Sequence, residues 1–83
     1  MTTKPIEVYG AVWCSDCTRS KRLLDQYEVN YNWTDIDEQP EFQQVVKDIN
    51  GGKSIIPTII FPDGSILVEP SDSELKKKLN LRP

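Results

Sequence analysis

Ile6 to Tyr9 alternates around an apolar pair until Gly10 breaks the run, which predicts a short first strand. From Ser15 to Tyr27 the spacing changes. Cys17, Leu23, Leu24 and Tyr27 are compatible with one helix face, and Arg19, Lys21, Arg22 and Asp25 with the outer one. Period two returns over Tyr31–Ile36, a second strand. Phe42, Val45, Val46 and Ile49 then recur at helical spacing until Asn50-Gly51-Gly52 stops them, with Asp37 as a candidate cap and Pro40 suited to the first turn. Thr58–Phe61 reads as a strand, Pro62-Asp63-Gly64-Ser65 as turn chemistry, and Ile66–Val68 as the returning strand of a hairpin. Ser71-Asp72-Ser73-Glu74 is a capping-box pattern opening a last helix, with Leu75 and Leu79 facing inward.

The predicted order is β-α-β-α-β-β-α in one domain spanning residues 1–83, with no linker, repeat or low-complexity segment. A strand-helix-strand unit of this length closes as a right-handed parallel crossover. The loop after the first strand therefore lies at a strand's carboxyl end.

That loop holds the only two cysteines, in Trp13-Cys14-Ser15-Asp16-Cys17. A thiol at a helix N-terminus faces unpaired backbone N–H groups and the positive end of the helix dipole, and both favour thiolate over thiol. Cys14 is the expected nucleophile. Cys17 falls about one turn further on the same face, where it can attack a mixed disulfide on Cys14 and expel the partner as a thiol. A bridge closing so short a loop restricts the unfolded chain very little, which argues for a reactive pair over a structural one.

Composition narrows the setting. Ten basic and thirteen acidic residues give a net charge of −3, with no basic patch dense enough for nucleic acid or an anionic membrane. Lys76-Lys77-Lys78 is expected to be a solvated helix face near a C-terminus. Residues 1–5 carry no apolar leader core and no stretch approaches membrane-spanning length. A single close Cys-x-x-Cys pair also contrasts with the several bridges usual in small secreted domains. The expectation is a soluble, cytoplasmic monomer.

Val8-Tyr9, Trp13-Cys14-Ser15-Asp16-Cys17, Asn50-Gly51-Gly52, Ile56-Pro57-Thr58, Phe61-Pro62-Asp63-Gly64 and Pro70-Ser71 together resemble the glutaredoxin type of the thioredoxin fold, and more narrowly the mycoredoxin-like redoxins. The likeness runs from about Ile6 to Leu81. It implies an α/β thioredoxin-like fold with a four-stranded mixed sheet and three helices. It also implies dithiol-disulfide exchange on protein or mixed disulfides, and a cis bond before Pro57. From the residues alone Pro57 could equally just open a strand. A cis bond would turn the Ile56 backbone toward a partner cysteine, making Trp13, Ile56 and Pro57 a client-binding surface.

The chain also departs from the family pattern. Ser15 and Asp16 stand where many glutaredoxins have proline and tyrosine, and a carboxylate at Asp16 is expected to make Cys14 less acidic. Asp16 is equally sound as a first-turn helix residue, and both roles can hold together. Ala11 replaces a lysine usual three positions before the nucleophile, while Lys53 and Asp72 stand near positions that hold glutathione in the family. Pro70-Ser71 replaces the family's Gly-Gly, as in the mycoredoxin-like subgroup. No bound cofactor is expected. The electron donor is glutathione, mycothiol or another small thiol, or a flavin reductase. An alternative is an iron–sulfur cluster shared by two chains through Cys14. With no histidine and two cysteines, a four-ligand zinc site within one chain is nearly excluded.

Overall fold

The structure, a computed structural model, describes residues 5–81. Seven elements follow in the expected order: β1 (Ile6–Gly10), α1 (Ser15–Gln26), β2 (Tyr31–Asp35), α2 (Glu41–Ile49), β3 (Thr58–Ile60), β4 (Ile66–Val68) and α3 (Asp72–Leu79). The sheet order is β2-β1-β3-β4. β1 and β2 are parallel, with Val8 opposite Trp33, whereas β3 runs antiparallel to both β1 and β4. The four-stranded mixed sheet of a thioredoxin-like fold is thus borne out.

Strand alternation explains how the two faces are filled. Ile6 and Val8 of β1 and Ile59 of β3 join Leu23, Leu24, Phe61 and Leu75 in a core between the sheet and the pair α1 and α3. Tyr9 points the other way and packs with Ile36 and Val46, backed by Phe42, Val45, Ile56 and Ile60, beneath α2. Its ring centroid lies 5.8 Å from that of Phe42. Each face of the sheet therefore fixes the central strand whose end carries the cysteines.

Caps and turns set the ends of the elements. The Ser71 hydroxyl accepts from the Glu74 N–H at 3.1 Å, and the Glu74 carboxylate accepts from the Ser71 N–H at 3.0 Å, the reciprocal pair expected of a capping box. β2 and β3 each stop one residue short of the expected ranges. Ile36 still donates to the Gly10 carbonyl at 2.9 Å, and Phe61 donates to Ser65 across the hairpin turn, also at 2.9 Å. The difference lies within the ordinary spread of boundary assignment.

Three expectations need correction. Asp37 does not cap α2, which begins at Glu41 with Pro40 at the capping position and no side-chain cap. Asp35 closes the intervening turn instead, accepting from the N–H groups of Asp37 at 2.8 Å and Glu38 at 3.3 Å. Arg19 and Lys21 are not simply on an outer face: Arg19 donates to the Pro70 carbonyl at 3.2 Å and so joins α1 to the loop before α3, and Lys21 is half-buried with its ammonium over the Trp33 ring of β2. Lys78 of the basic run is half-buried rather than solvated, with its Nζ 2.7 Å from the Asp63 carboxylate. These long side chains found charged, carbonyl or aromatic partners brought close only by the fold.

A candidate redox site at the start of the first helix

β1 ends at Gly10, and the Ala11–Trp13 loop closes on itself when the Cys14 N–H donates to the Ala11 carbonyl at 3.2 Å. Cys14 is the N-cap of α1, with extended backbone (φ −84°, ψ 114°). Its sulfur takes the part usually played by a serine or aspartate oxygen, accepting from the Cys17 N–H at 3.4 Å. The Cys14 carbonyl accepts the first helical bond from Thr18 at 3.1 Å, so the helix starts directly on this residue.

Cys17 lies one turn inward and is fully buried at 0 % exposure, whereas Cys14 is half-exposed. Both thiols are free. Burial pushes the Cys17 thiol up to about 12, and the hydrogen bond with Cys14 adds to the shift, while the Ala11 backbone and the charge of Lys21 oppose it. The two sulfurs thus differ sharply in environment across a single helical turn. One is open to a partner and the other is covered.

A second segment meets the first at Ile56-Pro57, where the peptide bond is cis. The Cys14 thiol approaches the Ile56 carbonyl at 3.9 Å. Pro57 is buried, and its carbonyl accepts from the Glu69 N–H at 2.9 Å. Thr58 fixes this segment from within: its hydroxyl donates to the Ile55 carbonyl at 2.7 Å and accepts from the Asn50 side chain at 3.1 Å. Asn50 also donates to the Val46 carbonyl at 2.9 Å, so the end of α2 holds the loop that faces Cys14.

Trp13 stands out from the surface at 70 % exposure, next to Val12 at the same value. Its ring is nevertheless anchored, because Nε1 donates to the Asp37 carboxylate at 2.6 Å. Trp13, Cys14, Cys17, Ile56 and Pro57 are therefore gathered around one end of the sheet. Lys53 is exposed in the loop after α2. Asp72 and Asp16 belong to a separate cluster on the flank of α1. Arg19 lies 3.3 Å from the Asp16 carboxylate and 3.9 Å from that of Asp72, beside a shallow groove of about 510 Å³ lined by Ser15, Asp16, Thr18, Arg19 and Arg22. The carboxylate beside the cysteines is a paired charge rather than a bare one.

Reading the residues in order missed Asp37, Arg19 and Gly10. A Cβ on Gly10 would lie 2.5 Å from the Cys17 sulfur and 2.8 Å from Cη2 of Trp33. A glycine ending a strand next to the cysteine-bearing loop signals close backbone approach, and that was the available clue.

The glutaredoxin family model matches residues 6–66, most of the chain. A Mycobacterium tuberculosis protein provisionally named a glutaredoxin is 37 % identical over 79 residues, covering 95 % of this chain and 94 % of that protein. Mycoredoxin 1 of Corynebacterium glutamicum is 31 % identical over 74 residues, covering 89 % and 91 %. A crystal structure of the glutaredoxin grx-1 from Archaeoglobus fulgidus superposes with a TM-score of 0.76 at 22 % identity, covering 89 % of this chain and 84 % of that one, and shares the fold. With its two free thiols at the head of α1 and this likeness along nearly its whole length, the chain belongs to the glutaredoxin family of thiol-disulfide oxidoreductases.

Proposed function

We propose that the protein reduces protein disulfides and mixed disulfides by a two-thiol exchange through Cys14-Ser15-Asp16-Cys17. The half-exposed Cys14 sulfur attacks one sulfur of the client disulfide, forming a mixed disulfide and releasing the other sulfur as a thiol. Cys17 then gives up its proton and attacks the Cys14 sulfur, closing the Cys14–Cys17 disulfide and expelling the client as the second thiol. Two electrons pass from the cysteine pair to the client. The observation that carries this order is the placement of Cys14 at the N-cap, with the Cys17 N–H directed at its sulfur at 3.4 Å and Cys17 itself buried behind it. A backbone donor and the positive end of the helix are the groups that receive a developing sulfur anion.

In this reading Trp13, Ile56 and Pro57 receive the client. An extended client segment that paired with the Ile56 backbone would bring its cysteine to the Cys14 sulfur, and the exposed Trp13 ring would cover its apolar side. Asp16 acts on the site together with Arg19, as a pair. Lys53 and Asp72 are proposed to contact the small thiol, Asp72 as part of the Arg19 cluster.

A small thiol or a flavin reductase returns the disulfide to the dithiol. The name mycoredoxin, carried by one relative, favours mycothiol. The test incubates the oxidised protein separately with glutathione and its reductase, mycothiol and its reductase, and thioredoxin reductase, each with NADPH, and follows NADPH consumption with a protein disulfide as acceptor. Turnover in one arm, abolished in Cys14→Ser, supports the reading. Turnover in none of them, or turnover that survives Cys14→Ser, contradicts it.

A further inference from the structure

Behind the sulfurs, three residues that the exchange has not used converge on Cys17. The Cys17 sulfur and the edge of the Trp33 ring both press on Gly10, where a Cβ would lie 2.5 Å from the sulfur and 2.8 and 2.9 Å from Cη2 and Cζ3 of the ring. Lys21 stands four residues after Cys17 on the same face of α1. Its Nζ lies 3.7 Å from the centroid of Trp33. A cation on the face of an indole is attracted by the ring's quadrupole, more strongly when it is desolvated. That attraction holds a half-buried lysine that would otherwise sample solvent.

We propose that Lys21 is a positioning residue for the resolving half of the exchange: Trp33 holds its ammonium beside the helical turn of Cys17, where it stabilises the thiolate that Cys17 must become before it attacks. The proposal rests on the assignment of Cys17 as the resolving thiol. A buried sulfur gains little from water when it ionises, so a fixed charge nearby carries more weight than it would at the surface. Among the described residues that act on the Cys17 thiol, Lys21 is the one side-chain cation, and it works against the effect of burial. The Cys17 proton passes to water, the bond between Cys14 and the client sulfur breaks as the Cys14–Cys17 bond forms, and the departing thiolate takes a proton from water.

The aromatic disulfide 5,5′-dithiobis(2-nitrobenzoate) separates the two halves in one stopped-flow trace, because each releases one equivalent of a coloured thiolate. The first release reports attack by Cys14 and the second reports resolution by Cys17. Lys21→Gln is expected to slow the second release about threefold to tenfold, a lower thiolate fraction being partly offset by the stronger nucleophilicity of a more basic thiolate. Lys21→Arg is expected to restore it. Lys21→Met keeps much of the stem and serves if the glutamine variant folds poorly. An unchanged second release in both Lys21→Gln and Lys21→Met overturns the proposal. Equal slowing in Lys21→Gln and Lys21→Arg also overturns it, since packing alone would then be at stake. A Cys17→Ser protein that still releases both equivalents from one chain would overturn the assignment of Cys17 itself, and the role of Lys21 with it.

Discussion

The indole Nε1 of Trp13 donates a 2.6 Å hydrogen bond to the carboxylate of Asp37. These residues are 24 positions apart, and the bond ties the loop before Cys14 to the turn after β2. An exposed tryptophan is thereby held in one orientation beside the half-exposed Cys14 thiol. If this ring receives clients, Asp37→Ala leaves it free to rotate and each binding event must order it again. The expected result is a KM for a protein disulfide raised about threefold to tenfold, matching the ~0.5–1.5 kcal/mol net of one hydrogen bond. Alkylation of Cys14 by iodoacetamide should stay at the parent rate. An unchanged KM would leave the bond with no part in client binding.

Gly10→Ala places a methyl group where the Cys17 sulfur and the Trp33 ring now meet. Neither neighbour is a loose surface side chain, so the strand or the helix start must shift. Overpacking of this kind costs about 1–3 kcal/mol, to be read from chemical denaturation of the dithiol form. A stability equal to the parent would show that the space behind Cys17 is more yielding than the packing indicates.

Much of the fold was legible because its signals are local. The capping box at Ser71 and Glu74, the glycines closing α2 and the turn at Asp63-Gly64 depend on neighbours within a few residues, and each formed where the pattern placed it. The gathering of Trp13, the cysteines, Ile56 and Pro57 followed from strand order and family likeness. Asp37 and Arg19 were misread for one physical reason: their partners, Trp13 and Pro70, are distant in sequence, and local rules assign a polar residue to the nearest cap or to solvent. Gly10 looked like a strand break because nothing in its own neighbourhood shows which sulfur will lie against it.

Asn50 links the end of α2 to the segment before Pro57 through Thr58. Asn50→Ala removes two donors and leaves the Thr58 hydroxyl with its bond to Ile55 alone. A loss of about 1–3 kcal/mol in stability is expected from part-buried groups left unsatisfied. Reduction of a protein disulfide should fall more than reaction with a small aromatic disulfide, because the loosened segment carries the Ile56 backbone. Equal falls in the two reactions would separate this network from client binding.

Alkaline pH should destabilise the dithiol form. Burial, then the hydrogen bond with Cys14, raises Cys17 from 9.0 to about 12, and burial, then the hydrogen bond to Asp25, raises Tyr31 from 10.0 to about 12. A group that holds its proton more tightly when folded contributes stability that is complete below its unfolded value and is lost as pH rises through the folded one. The denaturation midpoint should therefore fall between about pH 9 and 12. Cys17→Ser should show a shallower fall. A midpoint that stayed level across this window would contradict the burial of both groups.

The order of attack, Cys14 first and Cys17 second, is the claim on which the rest depends. Cys17→Ser and Cys14→Ser proteins are each reacted with one disulfide-containing client, quenched with acid and examined by intact-mass and peptide mass spectrometry. The account predicts a stable mixed disulfide on Cys14 in the Cys17→Ser protein and no adduct in the Cys14→Ser protein. An adduct that accumulates on Cys17 in the Cys14→Ser protein, at the rate seen for Cys14 in the other, would contradict it.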